Sequence, residues 1–86
     1  MNIWIICGSI TYAIKAKEVL DLRNVRSVVQ KAPLELYHFG CNYGVRLCHP
    51  APQAVLGLLR SCGVKVGAAF YETPEGYMRF DGGERE

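Results

Sequence analysis

The sequence predicts a single α+β domain whose elements follow the order β-α-β-β-α-β. One observation is a short apolar run rich in β-branched residues, Asn2 to Cys7, which stops at a glycine and a serine and leads into a helical stripe. This pattern is typical of a strand buried on both faces that is followed by a helix. The second observation is a clearer stripe at helical spacing, made by Ala51, Ala54, Val55, Leu58, Leu59 and Cys62. Strand-like segments flank that stripe, so the strand–helix unit occurs twice.

The first half of the chain predicts a strand, a helix and a second strand. After the strand at Asn2 to Cys7, a helix is expected from Thr11 to about Leu22, because four apolar residues share one of its faces. These residues are Tyr12, Ala16, Val19 and Leu20. The second strand is expected from Ser27 to Ala32, and Pro33 ends it because proline cannot extend a hydrogen-bonded ladder.

The second half repeats the pattern after a linker with bulky side chains, Leu34 to Gly40. A third strand is expected over Tyr43 to Cys48, with Val45 and Leu47 on one face and Arg46 and Cys48 on the other. The second helix starts in the proline-containing segment 49–52, since proline suits a first helical turn. Gly63 is its expected C-terminal cap, and the fourth strand follows over Val64 to Tyr71.

These elements predict a ferredoxin-like domain over residues 1–72, a four-stranded antiparallel sheet with two helices on one face. Right-handed crossovers give the strand order 4-1-3-2. The remaining residues, 73–86, are read as a turn over 73–76, a short edge strand that Tyr77 to Phe80 can add, and a frayed tail.

Composition narrows the classes of function. The 86 residues hold one small core and no separate cofactor domain, so we expect a carrier or binding protein rather than a stand-alone enzyme, and no cofactor. The net charge is only +2 and no run of five like charges occurs, so nucleic acid is not an expected partner. The longest apolar run is far shorter than a membrane span, and the start lacks a signal-peptide pattern. A cytoplasmic protein with no membrane partner is expected.

The four cysteines are Cys7, Cys41, Cys48 and Cys62, and none of their spacings forms a C-x-x-C pair. A tetrahedral zinc site is therefore poorly supported, and in the cytoplasm the thiols are expected to be reduced. Cys62 lies on the apolar stripe of the second helix, and Cys7 ends the central strand, so both are expected in the core.

Cys41 is the main candidate for chemistry, because it lies in a turn before the third strand. Gly40 and Gly44 flank it and let the backbone approach another molecule closely, while Asn42 tolerates left-handed geometry. Arg46 follows on the strand, and a nearby cation favours the reactive thiolate. Such a thiolate can hold a sulfur or selenium atom as a persulfide or selenopersulfide. The alternative from spacing alone is that Cys41 is a half-buried filler.

Two further groups of residues remain open from the sequence. The first βα turn, with Cys7, Gly8, Ser9 and Thr11, offers backbone N–H groups that can contact an anion or small ligand, although Ser9 or Thr11 is also explained as a helix cap. The second group could supply thiolate and imidazole ligands to a metal, although it lacks regular spacing. That group consists of His38, Cys41, Cys48 and His49.

The order of these short motifs resembles the selenium/sulfur carrier protein-like family over roughly residues 2–72. The segments that carry the resemblance are Gly8-Ser9-Ile10-Thr11, the helix with Ala13, Ala16 and Lys17-Glu18-Val19-Leu20, Pro33, Gly40 to Arg46, Ala54 to Leu59, and Gly63-Val64. The chain departs from the family pattern at Leu34, where an arginine is usual, and at Asn42, where a glycine is common. The resemblance implies a chalcogen carrier with Cys41 as the carrying thiol.

The leading hypothesis is therefore a carrier that takes sulfur or selenium from a donor protein and delivers it to an acceptor enzyme. A non-catalytic ligand-binding or regulatory module, with a homodimer left open, is the first alternative, because the aromatic linker over 34–39 suits a protein contact. A small thiol and imidazole metal-binding domain is the second.

Overall fold

The computed structural model of the protein describes residues 2–39 and 42–81. Within those residues it contains five strands, two α-helices and one 3-10 helix. In chain order they are β1 (Asn2–Cys7), α1 (Ile10–Leu22), β2 (Ser27–Lys31), the 3-10 helix (Leu34–Phe39), β3 (Tyr43–Cys48), α2 (Pro52–Ser61), β4 (Val66–Thr73) and β5 (Gly76–Arg79). The α+β class and the two helices agree with the prediction.

The strands form one antiparallel sheet in the order β2-β3-β1-β4-β5. The predicted number of four strands is therefore wrong, because a fifth strand pairs with β4 along its outer edge. That strand is the short edge strand which the sequence allowed over Tyr77 to Phe80, and the structure places it at Gly76–Arg79. The two-residue connection between Thr73 and Gly76 makes this possible, since Gly76 adopts a positive φ of 140° that L side chains rarely reach.

Strand β1 is buried on both faces, as its apolar run predicts. Ile3 and Ile5 pack against the two α-helices, in a cluster that includes Leu20 and Leu59. Trp4 and Ile6 point to the opposite face and belong to a second cluster. Because alternate residues of a strand point to opposite faces, a run without polar residues requires a covering layer on each side.

The second covering layer is the segment Leu34–Phe39, which the sequence had indicated only as a linker. It forms a 3-10 helix, and Leu36 is 2% exposed because it packs with Trp4, Phe70 and their neighbours. The spacing in this segment is too short for an α-helical stripe, so its bulky apolar residues are the only sequence signal for a packed element. The sheet is thus covered by α-helices on one face and by a 3-10 helix on the other.

Phe80 belongs to the core beneath the α-helices. Its backbone N–H donates to the Ala69 carbonyl at 2.9 Å, its ring stacks on Tyr71 with centroids 4.5 Å apart, and its carbonyl accepts from the Gln53 side chain at 2.8 Å. The core therefore extends beyond residue 72, where the sequence suggested that the compact domain ends.

Cys62 is exposed, so the prediction that it is a core residue is wrong. The α-helix ends at Ser61, and Cys62 caps it through a backbone N–H that bonds to the Leu58 and Leu59 carbonyls. The inward face of α2 is centred on Val55, Leu56 and Leu59, and the helix has already ended where the predicted stripe would place the thiol. Gly63 follows with a φ of 83°, as expected of a C-terminal glycine.

Gly44 occupies the tightest position of the sheet. It lies opposite Ile6 in the β1–β3 ladder, and a Cβ there would be 2.9 Å from the Ile5 carbonyl oxygen and 2.9 Å from Cδ1 of Ile6. Such distances are shorter than normal van der Waals contacts, so backbone or core atoms would have to move. Gly44 is therefore required by packing rather than by the flexibility of the turn before it.

We expect Gly44→Ala to lower the free energy of unfolding by about 1–3 kcal/mol, the usual cost of overpacking a core. Gly57→Ala is the matched control, because nothing lies within 4 Å of the added Cβ at this exposed position of α2. That change should raise stability by roughly 0.5–1 kcal/mol through helix propensity. Urea denaturation of both variants measures the difference, and equal stabilities would contradict the close packing at Gly44.

Candidate functional site

The segment that bears Cys41 is followed by residues whose positions are defined. Gly40, Cys41 and the side chain of His38 lie outside the described part of the chain. Asn42, which is bonded to Cys41, is exposed, and its carbonyl accepts the backbone N–H of Ala32 at 2.8 Å. Tyr43 then pairs with Lys31 at the start of the β2–β3 ladder. Asn42 therefore stands at one end of the sheet, where β3 begins.

The same end of the sheet carries the first βα turn. Ile6 pairs with Gly44 in the antiparallel β1–β3 ladder, so β1 ends at Cys7 where β3 begins at Tyr43. Gly8 and Ser9 follow directly. The register thus brings Asn42 and the Gly8-Ser9 turn, which are more than thirty residues apart in sequence, to neighbouring ends of adjacent strands.

Ser9 caps helix α1 at this end of the sheet. Its Oγ accepts the backbone N–H of Tyr12 at 3.3 Å, and its carbonyl accepts that of Ala13 at 3.1 Å. Ser9 is therefore a helix cap, as one of the two interpretations of this turn predicts. Thr11 is exposed on the first turn of the helix. The first turn of a helix carries the positive end of its dipole, so a negative charge beside Ser9 is stabilised.

Lys65 adds a cation near that turn, and the sequence reasoning did not single it out. The backbone N–H of Gly8 donates to the Lys65 carbonyl at 3.1 Å, and a Cβ on Gly8 would lie 3.6 Å from Cδ of Lys65. No local motif marks this residue, because the bulge at Cys7 in the β1–β4 ladder is what brings it beside Gly8.

Cys7 itself has no exposed surface and lies in the core under the α-helices. The expectation that it is a core residue is confirmed. Its thiol therefore does not line the surface of the Gly8-Ser9 turn, and of the ligand-contact group only Gly8, Ser9 and Thr11 reach solvent.

Arg46 makes an ion pair with Glu72 instead of standing free beside the cysteine turn. Its Nε and Nη2 donate to the two carboxylate oxygens at 3.1 and 3.3 Å, in a bidentate pair that joins β3 to β4 across β1. Three strand residues, or about 10 Å, separate Arg46 from Tyr43. The Glu72 carboxylate offsets its charge, so Arg46 is a poor candidate for stabilising a thiolate at position 41.

The residues weighed as metal ligands are dispersed. Cys48 is exposed at the far end of β3, about 20 Å along the strand from Asn42. His49 is occupied at Nδ1, which accepts the backbone N–H of Ala51 at 2.9 Å. Within residues 2–39 and 42–81, no group of three or more His, Cys, Asp and Glu side chains is close enough to hold a metal ion.

The N-cap residue of α2, Ala51, makes no side-chain capping hydrogen bond of its own. His49 supports this start of the helix by accepting the backbone N–H of Ala51. We expect His49→Ala to lower the free energy of unfolding by about 0.5–1 kcal/mol, the net value of one partly solvated hydrogen bond.

The control is His49→Asn, because an asparagine oxygen can accept an N–H two residues further on in the same way. It should retain most of the wild-type stability in thermal denaturation. If both variants are destabilised equally, the imidazole contributes something other than this hydrogen bond.

Neither α-helix of the described residues is both long and apolar enough to cross a membrane. Comparisons of the chain with protein-family models, with curated proteins and with solved structures found no match.

Proposed function

We propose that this protein is a small sulfur or selenium carrier in which Cys41 holds the chalcogen for delivery to a partner enzyme. The observation that supports it most is the position of Asn42, the neighbour of Cys41, at the sheet end that also bears the N-terminus of α1. Helix N-termini and nearby cations lower the pKa of cysteine thiols and increase the thiolate fraction. In this proposal the activating groups are the first turn of α1 and Lys65, in place of Arg46.

The transfer step is a sulfane-sulfur exchange without net oxidation. The Cys41 thiolate attacks the terminal sulfur of a donor persulfide, the bond within the donor persulfide breaks, and the donor leaves as a thiolate. Delivery to the acceptor repeats the exchange in the opposite direction, and selenium follows the same balance from a donor selenopersulfide. Because the carrier only holds the atom, it needs a reactive thiol and a docking surface for each partner, and an 86-residue chain can supply both.

The architecture supports this assignment at the level of the fold. Four of the five strands have the β4-β1-β3-β2 arrangement of a ferredoxin-like domain, and we propose that the chain is such a domain with β5 added at its edge. In a carrier of this kind the thiols must stay reduced between transfers, which suits the cytoplasm.

The test is the intact mass of the protein after incubation with a persulfide donor and removal of the excess donor. Wild type and the Cys48→Ser/Cys62→Ser double variant should both gain the mass of one sulfur atom, while Cys41→Ser should gain none. Cys48 and Cys62 are suitable controls because both are exposed. An adduct that forms equally on Cys41→Ser would contradict the proposal.

The role of Lys65 is tested by the alkylation rate of Cys41 in the Cys48→Ser/Cys62→Ser background. Lys65→Gln should slow the reaction two- to fivefold at neutral pH, because one exposed charge contributes up to about 1 kcal/mol. The difference should shrink at high salt, where such interactions are screened.

Arg23→Gln is the matched control, since Arg23 caps the opposite end of α1 through its backbone. It removes the same charge from the domain without changing the first turn. Equal alkylation rates in Lys65→Gln and Arg23→Gln would show that Lys65 does not activate the thiol. That result would not contradict Cys41 as the carrier thiol.

A further inference from the structure

A cleft lies on the sheet face opposite the α-helices, between the 3-10 helix and the β4–β5 hairpin. Its volume is about 360 Å³, at the small end of the range of ligand pockets. The residues that line it are Glu35, Leu36, Phe70, Glu75, Gly76 and Tyr77. None of these residues has a role in the carrier proposal.

The floor of the cleft is apolar and anchored in the core. Leu36 and Phe70 are 2% and 4% exposed, and they pack in the same cluster as Trp4. Tyr77 is half-buried against this cluster and forms one wall. Because Leu36 and Phe70 are almost fully buried, the apolar surface that a ligand in the cleft can cover belongs mainly to the half-buried Tyr77.

The rim carries negative charge from two separate elements. Glu35 comes from the 3-10 helix and Glu75 from the turn of the hairpin, and both are exposed. No basic residue lines the cleft among the described residues. Arg46, whose charge acts on Tyr77, is paired with Glu72.

The pKa of Tyr77 reflects its partial burial and two carboxylates, of which only Glu35 belongs to the rim. Burial raises the pKa of its hydroxyl above the ordinary value, the carboxylates of Glu35 and Glu72 raise it further, and Arg46 opposes them in part. A negative charge near the hydroxyl disfavours the tyrosinate. A positive charge bound in the cleft would have the opposite effect.

We propose that this cleft binds a small organic cation, a primary ammonium group attached to an apolar chain or ring. The ammonium group would lie between the Glu35 and Glu75 carboxylates and near the Tyr77 ring, whose face attracts cations. The apolar body would pack against the Tyr77 wall above Leu36 and Phe70, and burial of the ligand's own apolar surface supplies the remaining affinity. Carboxylates on the rim select the cation, because a bound anion would face two like charges.

The test compares three probes of the same shape and different charge: phenethylammonium, phenylacetate and phenethyl alcohol. Binding is followed at low salt by NMR shift changes of Phe70 and Tyr77. The ammonium probe should bind about tenfold or more tightly than either of the others, as expected for charge-assisted contacts with carboxylates. Equal binding of all three probes, or no shift at Phe70 and Tyr77 at millimolar probe, overturns the proposal.

Variants separate the charges from the shape of the cleft. The Glu35→Gln/Glu75→Gln double variant keeps both side-chain volumes and should lose the preference for the ammonium probe. Glu18→Gln, on the exposed side of α1, is the matched control and should keep that preference. Retention of the preference in the double variant would contradict the role of the carboxylates.

The pH titration of Tyr77 gives a second readout. Phenethylguanidinium replaces the ammonium probe in this titration, because an ammonium group deprotonates in the same pH range as Tyr77 and a guanidinium group does not. At saturation it should lower the pKa of Tyr77 toward its ordinary value of about 10, and phenylacetate should not. An unchanged titration in the presence of the bound guanidinium would place the probe elsewhere and overturn the assignment to this cleft. Cys41→Ser should bind the ammonium probe as wild type does, because the cleft does not depend on the carrier thiol.

Discussion

The structure depends on the burial of β1 on both of its faces. Ile3 and Ile5 have no exposed surface on the side of the α-helices, and Trp4 and Ile6 are equally enclosed on the other side. Burying each isoleucine stabilises the fold by about 1.5–3 kcal/mol, so a single covering layer would forgo about half of this stabilisation. Helices α1 and α2 provide one layer, and the segment Leu34–Phe39 provides the other.

The same strand sets the geometry of the proposed carrier site. Because β1 pairs with β3 in one register, the end of β1 and the start of β3 lie at the same end of the sheet. The register is held by Gly44, which has no room for a Cβ against β1. Core packing thus determines that the residue after Cys41 lies at the end where α1 begins, although nothing in the local sequence links the two turns.

The cleft on the opposite face arises from the covering layer itself. The 3-10 helix is only six residues long, so it covers one part of the face and ends before the β4–β5 hairpin. Glu35 of the 3-10 helix and Tyr77 of β5 both line the space that remains. Because the short helix covers only part of this apolar sheet face, a depression with an apolar floor remains beside it. An uncovered sheet would present a flat surface instead.

Periodicity alone was sufficient for the elements that have strong patterns. The bounds of β1 and β3 agree with the structure, because Gly8 and Ser9 end the first run and the third lies between Asn42 and His49-Pro50. The 3-10 helix, the exposure of Cys62 and the pairing of Arg46 with Glu72 were missed. The 3-10 helix and the Arg46–Glu72 pair depend on contacts between residues distant in sequence, and the exposure of Cys62 depends on where α2 ends. Neither cause produces a periodic pattern in the sequence.

By itself the sequence determined the order of strands and helices, the two-sided burial of β1 and the core position of Cys7, because these follow from local runs of apolar residues. Only the tertiary structure decided which residues accompany each turn. Antiparallel pairing brought Lys65 and Ser9 to the end of the sheet where Asn42 lies. It also placed Arg46 close enough to Glu72 to form an ion pair. The physical reason is that charges and hydrogen bonds act across the shortest distance in space, whereas the sequence records only neighbours along the chain.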